Sequence, residues 1–223
     1  MSLHEFNAIE QGSEAWHDQR RGMVTASVVN QLVTAKTLKP AVNDYSRGLT
    51  ASLVAERITG YTEPTFMNDD MFRGVIDEPR AVEKYAEHFA PVTTTGFLVC
   101  DDWGFEIGYS PDGLVGDDGL IEVKSRRQKK QLQTILNDAV PPENMAQLQA
   151  GLLVTAREWI DYISYAGGMP MYVKRVFPDH KWFEAIVAAV ELFEDNAKQM
   201  TDAYRAAAAG LPMTERVETE MSL

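Results

Sequence analysis

The sequence predicts an α/β fold in which a central mixed β-sheet is flanked by helices. Three observations carry this. Apolar residues recur at helical spacing in the first and last thirds, the middle switches to short β-branched or aromatic runs, and the 223 residues are 45% hydrophobic and 24% charged, as in a globular domain. Helices, strands, helices, strands and a final helix follow one another, an order that packs helices onto a sheet. One domain is expected over residues 1–223: N-terminal helices over 13–89, a sheet with helices over 92–177, a long helix over 179–209 and a frayed tail over 211–223.

Taken in order, Ser13 can cap a short helix that runs through Arg21 and stops at Gly22, and Ser27 to Ala35 is a second helical candidate. Tyr45 to Thr59 carries Leu49, Leu53, Val54 and Ile58 at helical spacing before Gly60 ends it. A helix over about Asp70 to Phe89 should turn Ala81, Val82, Tyr85 and Phe89 inward. Four strands, Phe97 to Cys100, Phe105 to Tyr109, Gly113 to Val115 and Leu120 to Lys124, read as an antiparallel meander broken by Asp-Asp and Gly. Helices follow over Lys129 to Asn137 and Glu143 to Val154, the latter opened by Pro141-Pro142. Strands Trp159 to Tyr165 and Met171 to Phe177 are joined by a Gly-Gly-Met-Pro turn. The last helix, Asp179 to Ala209, aligns Phe183, Ile186, Val187, Val190, Phe193, Ala197, Met200 and Tyr204 in one stripe.

Charge and cysteine content narrow the function classes. With 33 acidic and 21 basic residues the formal net charge is −12, which on average disfavours a nucleic-acid binder. The basic charge is focused, however, in Lys124-Ser125-Arg126-Arg127-Gln128-Lys129-Lys130 and at Arg20-Arg21. Cys100 is the single cysteine, so no internal disulfide forms, and its apolar run reads as buried. No apolar stretch is long enough to span a membrane and the amino end lacks a signal-peptide pattern, so a cytoplasmic protein without membrane contact is expected.

The chemistry concentrates between Ser110 and Lys124. Side chains alternate along a strand, so Glu122 and Lys124 share one face while Ile121 and Val123 share the other. If the turn at Gly116-Asp117-Asp118-Gly119 pairs Leu114 with Leu120, Asp112 comes opposite Glu122; a slip of one residue would send it to the wrong face. Two carboxylates so placed repel unless a cation lies between them, and hard oxygen donors suit Mg²⁺ or Mn²⁺.

The pattern Pro111-Asp112…Glu122-x-Lys124 resembles the PD-(D/E)xK nuclease superfamily, whose core is restriction-endonuclease-like. Further matches resemble the YqaJ-type viral recombinase family, which includes the phage lambda exonuclease. They are Gln11-Gly12 through Trp16, Arg20, Gly22 and Thr25-Ala26-Ser27, then Gly74-Val75-Ile76-Asp77-Glu78, Tyr109-Ser110-Pro111-Asp112-Gly113-Leu114 and Met145-Ala146-Gln147-Leu148-Gln149. In order, they cover Gln11 to Gln149.

The resemblance implies a Mg²⁺-dependent 5′→3′ exonuclease with two ions per active site, Mn²⁺ being a possible substitute. It would digest the 5′-phosphorylated strand of linear duplex DNA to mononucleotides and leave a 3′ overhang. It implies Asp112, Glu122 and the Val123 carbonyl as metal ligands and Glu78 as serving the second metal or holding its water. Lys124 would orient or activate water, and Gln147 would fix the site or the DNA end. Arg20, assisted by Ser27 and Ser110, would hold the 5′-phosphate, a suitable task for a bidentate guanidinium. Among Arg126, Arg127, Lys129 and Lys130 the sequence leaves open which reaches that phosphate. Met71 falls where the family has an apolar wedge that splits terminal base pairs, although Asp69, Asp70 and the following Phe72-Arg73 depart from the pattern. Trp16 reads as a core anchor. The resemblance further implies a homotrimeric ring enclosing DNA ends, and a phage or prophage enzyme working with a single-strand annealing protein. Two other readings stand beside it, a site-specific or repair endonuclease of the same superfamily and an inactive DNA-binding module.

Overall fold

The computed structural model describes residues 2–64 and 66–216. Among these, six helices and ten strands alternate along the chain. The short helix α1 (Glu14–Gln19) starts at Ser13, whose side chain accepts the Trp16 N–H, and ends at Arg20. Helix α2 (Asp44–Thr59) opens with a reciprocal capping box between Asn43 and Ser46 and closes on Gly60 in the left-handed conformation, a pair of ends that stabilises it by about 1 kcal/mol at the cap alone. Helix α3 (Asp69–His88) is capped by Asn68 and contains Pro79, which cannot donate to the carbonyl of Val75 and so interrupts the ladder just past Glu78. Helices α4 (Gln128–Asn137), α5 (Pro142–Thr155) and α6 (His180–Ala207) complete the set. No helix among the described residues is long and apolar enough to cross a membrane.

The fold is α/β with mixed sheet at its centre and helices around it, as expected. The β structure forms two four-stranded ladders. In the first, β1 (Leu3–Phe6), β5 (Phe97–Cys100), β6 (Ile107–Tyr109) and β2 (Val24–Thr25) lie side by side, with only the β6–β2 pair parallel. In the second the order is β10 (Tyr172–Val176), β9 (Trp159–Tyr165), β8 (Gly119–Ser125) and β7 (Gly113–Val115), with β8 and β9 parallel. The expected continuous meander is therefore broken between β6 and β7, where Ser110-Pro111-Asp112 leaves one ladder and enters the other; proline has no N–H to give a ladder.

One buried cluster joins both ladders through Leu98, Ile107, Tyr109, Leu120, Ile160 and Tyr162, together with Leu148 and Leu152 of α5 and Ile186, Val190 and Phe193 of α6. Each of these large apolar side chains contributes about 1.5–3 kcal/mol on burial. Ile121 and Val123 face the other way, into a cluster with Ala81 and Tyr85 of α3.

Three further segments depart from their expected form. Ser27 to Ala35 forms a single 3-10 turn (Val29–Gln31) followed by β3 (Val33–Thr34), which pairs with β4 (Lys39–Pro40); Val28, Val29, Val33 and Thr34 are β-branched and poorly suited to helix. Phe89 is 57% exposed because it caps α3 beyond the face that Ala81 and Tyr85 bury. The α6 stripe leaves the core at its end, where Met200 and Tyr204 are 37% and 46% exposed. The expected tail has no regular structure over 211–216, and its remainder lies outside the described residues.

Candidate active site

The β7–β8 hairpin builds the centre of the site. Gly116, at φ 54°, makes the turn that an ordinary side chain would strain, and Leu114 pairs with Leu120, the register the sequence required. Asp112, just ahead of β7, accepts the Val123 N–H on Oδ2 at 2.6 Å, so its carboxylate is tied to the opposite strand beside Glu122. Glu122 is 2% exposed. Its Oε1 accepts Lys124 Nζ at 2.8 Å and Gln147 Nε2 at 2.5 Å, and its Oε2 accepts the Tyr109 hydroxyl at 3.1 Å. Tyr109 reaches that far because Gly151 of α5 lies against its ring; a Cβ there would stand 2.7 Å from the ring carbon.

These groups line one cleft of about 230 Å³, which also receives Arg20, Ser27, Glu78, Ser110 and Val123. Nine of the sequence-derived positions thus converge from α1, β2 and its following loop, α3, the β6–β7 link, β8 and α5. Burial, then Glu122 and Glu78, push the Asp112 carboxyl well above the usual carboxylate range. Burial and Glu122 likewise raise Glu78, which has no hydrogen-bond partner among the described residues. Burial works to lower Lys124, but the charges of Glu122 and Asp112 outweigh it and the ammonium titrates above its ordinary value. Lys124 therefore carries its proton at neutral pH.

The donor set fits a hard divalent cation: three carboxylates and a backbone carbonyl, all oxygen, with one lysine to offset three negative charges. Among the described residues no three His, Cys, Asp or Glu side chains converge closely enough to chelate an ion by themselves, so the carbonyl of Val123 and solvent would complete the shell around Asp112 and Glu122.

At the other end of the cleft, Arg20 stacks over the Trp16 ring with its guanidinium carbon 4.0 Å from the centroid. Its Nη2 donates to Thr25 Oγ1 at 3.2 Å and Ser27 Oγ at 3.3 Å. Among the described residues no carboxylate lies within ion-pair distance of it, and burial lowers its affinity for its proton. Trp16 packs against the small cluster of Met23, Phe97 and Val99, and its Nε1 donates to Ser110 Oγ at 2.7 Å. Thr25, Tyr109 and Trp16 belong to the site and were not singled out for it; all three lay inside the motif segments, and Thr25 shares the two-residue spacing of a strand with Ser27.

The remaining basic positions lie outside this cleft. Arg126 donates to Asn144 Oδ1 and the Tyr162 hydroxyl, Arg127 pairs with Asp70 at 2.8 Å and Lys130 with Glu143 at 2.6 Å. Met71, 42% exposed, sits on the first turn of α3, two turns before Glu78.

Asp112 ahead of a hairpin whose returning strand carries Glu122-x-Lys124, on this α/β scaffold, defines the PD-(D/E)xK nuclease superfamily, of which this chain is a member. More narrowly, the chain belongs to the YqaJ-like viral recombinase family, whose domain matches residues 15–158. It is similar to LHK-Exo, an alkaline exonuclease from Laribacter hongkongensis, at 31% identity and a TM-score of 0.79 over 90% of this chain and 100% of that one. The same enzyme in complex with dAMP gives 31% identity and 0.78 over the same shares. A phage-related exonuclease from Haemophilus somnus shares the fold at 11% identity, with a TM-score of 0.62 over 81% of this chain and 96% of that one. No curated protein matches the sequence.

Proposed function

We propose that this nuclease is a Mg²⁺-dependent 5′→3′ exonuclease that digests the 5′-phosphorylated strand of linear duplex DNA to mononucleotides, leaving a 3′ overhang for annealing. The observation that carries this reading is Arg20: a half-buried guanidinium that Glu56 acts on only from beyond ion-pair contact, in the same cleft as Asp112, Glu122 and Lys124. A terminal phosphate bears more charge than an internal one, and the Arg20 fork with Thr25 and Ser27 would grip it bidentately. Gripping the end beside the cutting carboxylates measures out one nucleotide at a time.

Asp112, Glu122 and the Val123 carbonyl would hold one divalent ion, with Glu78 serving a second; such a pair supplies an activated water and stabilises the leaving oxygen. Gln147 and Tyr109 fix the Glu122 carboxylate from two sides. Lys124, protonated between Glu122 and Asp112, acts as a donor that orients the attacking water and offsets charge on the phosphate. Met71 would part the terminal base pair, an insertion that partly offsets the few kcal/mol of unstacking. The family relationship favours a homotrimeric ring and a single-strand annealing protein as partner.

Linear and covalently closed circular duplexes of one sequence, offered together with Mg²⁺, test the reading. Digestion of the linear form with an intact circle is expected. Nicking or cutting of the circle would replace the exonuclease with an endonuclease of the same superfamily.

A further inference from the structure

Several cations of the basic segment after Lys124 take no part in the catalytic cleft. They line a second cleft of about 550 Å³, walled by Arg73, Asp77, Arg126, Arg127, Lys129 and Gly167. Neighbouring residues separate the two clefts: Glu78 and Lys124 face the first, Asp77 and Arg126 the second. Ser125, between Lys124 and Arg126 in the chain, is bonded on the side of the second cleft, donating to Asp77 Oδ2 at 2.6 Å and accepting Arg73 Nε at 3.0 Å.

Arg73, Arg126, Arg127 and Lys129 here meet Asp70, Asp77 and Asp69, the last acting on Arg127, while Glu143 beside Arg126 is offset by its own pair with Lys130. Asp70 accepts Arg73 at 2.7 Å and Arg127 at 2.8 Å, which holds both guanidinium groups in place at the rim. Asp77 is committed to Ser125. Lys129 has no partner among the described residues, and Arg126 keeps a buried Nε–H without an acceptor. Helix α4 begins at this point with no side-chain cap, so its first N–H groups add to the positive field. The floor is open at the β9–β10 turn, where a side chain added to Gly167 would meet nothing within 4 Å. A roomy, net-positive cleft with forked guanidinium donors and an exposed lysine suits a chain of phosphodiesters better than a single small anion.

We infer that the second cleft binds internal phosphodiesters of the DNA, at a distance from the terminal phosphate held by Arg20, and so keeps the substrate on the enzyme between cuts. The inference rests on the DNA-end reading above and adds to it a second site made of Arg73, Arg127, Lys129 and Arg126. The phosphodiesters come from either the duplex or the uncut strand, the two sources sharing one chemistry.

Fluorescence anisotropy in EDTA reads binding without cleavage, so it is independent of whether the enzyme is an exonuclease. Lys129→Ala removes one phosphate contact, and Gly167→Glu places a carboxylate in the open floor; melting temperatures near that of the parent would show that both fold. One contact accounts for about a 3.5-fold loss of affinity between about 50 and 200 mM salt. Over that range Lys129→Ala should lose about 3.5-fold less affinity than the parent, and Gly167→Glu should bind several-fold more weakly at low salt. The ratio of affinities for 5′-phosphorylated and 5′-hydroxyl ends should stay at the parent's value, since Arg20 is untouched. Weakening on a blunt duplex assigns the cleft to the duplex; weakening only on a 3′-overhang probe assigns it to the uncut strand. Parental affinity and salt dependence in both variants on both probes would overturn the inference, whereas a lack of mononucleotide release by the parent would overturn only the exonuclease reading.

Discussion

Asp112→Asn separates the metal's role from the fold's. The amide oxygen of asparagine can still accept the Val123 N–H that Asp112 takes at 2.6 Å, so the hairpin keeps its cross-strand tie. What disappears is one of three negative charges in a buried cleft where the carboxyl is already held well above its usual range by burial, Glu122 and Glu78. In EDTA the variant should therefore be at least as stable as the parent. With Mg²⁺ at a hundred times its dissociation constant the parent gains about 2.7 kcal/mol. At about 2–4 °C per kcal/mol for a chain of this size, that raises the melting temperature by about 5–11 °C. A hundredfold weaker site in the variant leaves about 0.4 kcal/mol at the same Mg²⁺, a shift of about 1–2 °C. Calorimetric melting of both proteins, in EDTA and in Mg²⁺, measures all four values. An undiminished Mg²⁺ shift in Asp112→Asn, or a variant markedly less stable than the parent in EDTA, would refute the assignment of Asp112 as a ligand held at the expense of stability.

The same carboxyls give a pH dependence. Asp112 and Glu78 are raised in the folded state, so their stabilising contribution is complete below the ordinary carboxylate range and is lost as pH climbs through their raised values. In EDTA the parent's melting temperature should fall over that climb more than that of Asp112→Asn, and equal slopes would remove the repulsion from the site. Lys124→Ala should lower turnover at least about a hundredfold while DNA affinity in EDTA stays within about threefold; steady-state kinetics and anisotropy read the two, and retained turnover would take Lys124 out of the chemistry. Arg20→Ala should equalise digestion of 5′-phosphorylated and 5′-hydroxyl duplexes, and a surviving preference would move the phosphate grip elsewhere. Away from the site, Asp161→Ala strands Arg175, which it holds through two 2.8 Å bonds, and the Tyr85 hydroxyl at 2.7 Å. The loss should be about 2 kcal/mol, chiefly from the buried Tyr85 hydroxyl left without its acceptor, since half-exposed Arg175 regains water, seen in denaturant unfolding; a change below about 0.5 kcal/mol would show the pair to be dispensable.

The hairpin was legible in the sequence because its determinants are local. Two glycines around Asp117-Asp118 fix the turn, and the alternation of Leu120, Glu122 and Lys124 against Ile121 and Val123 fixes the faces. Strands Phe97–Cys100 and Trp159–Tyr165 were readable from their β-branched and aromatic runs. Strand Leu3–Phe6 was not, since His4 and Glu5 make it a half-exposed edge that looks like loop, and β2 is too short to show a period. The two-residue pairings of Val33–Thr34 with Lys39–Pro40 likewise depend on partners rather than pattern. For the site, residues inside a motif could be found, while the fate of the basic run could not. Arg127 meets Asp70 57 positions away and Arg126 meets Asn144 18 positions away, and no local spacing encodes such meetings.

Digestion of a linear duplex labelled separately at each end and on each strand, with a 5′-phosphate on one strand only, in Mg²⁺ and in EDTA, tests 5′→3′ exonuclease action most directly. Release of labelled mononucleotides from the 5′-phosphorylated strand in Mg²⁺, with the 3′ strand intact and no release in EDTA, is the expected result. Internal fragments, release from the 3′ end, or equal digestion in EDTA would contradict it.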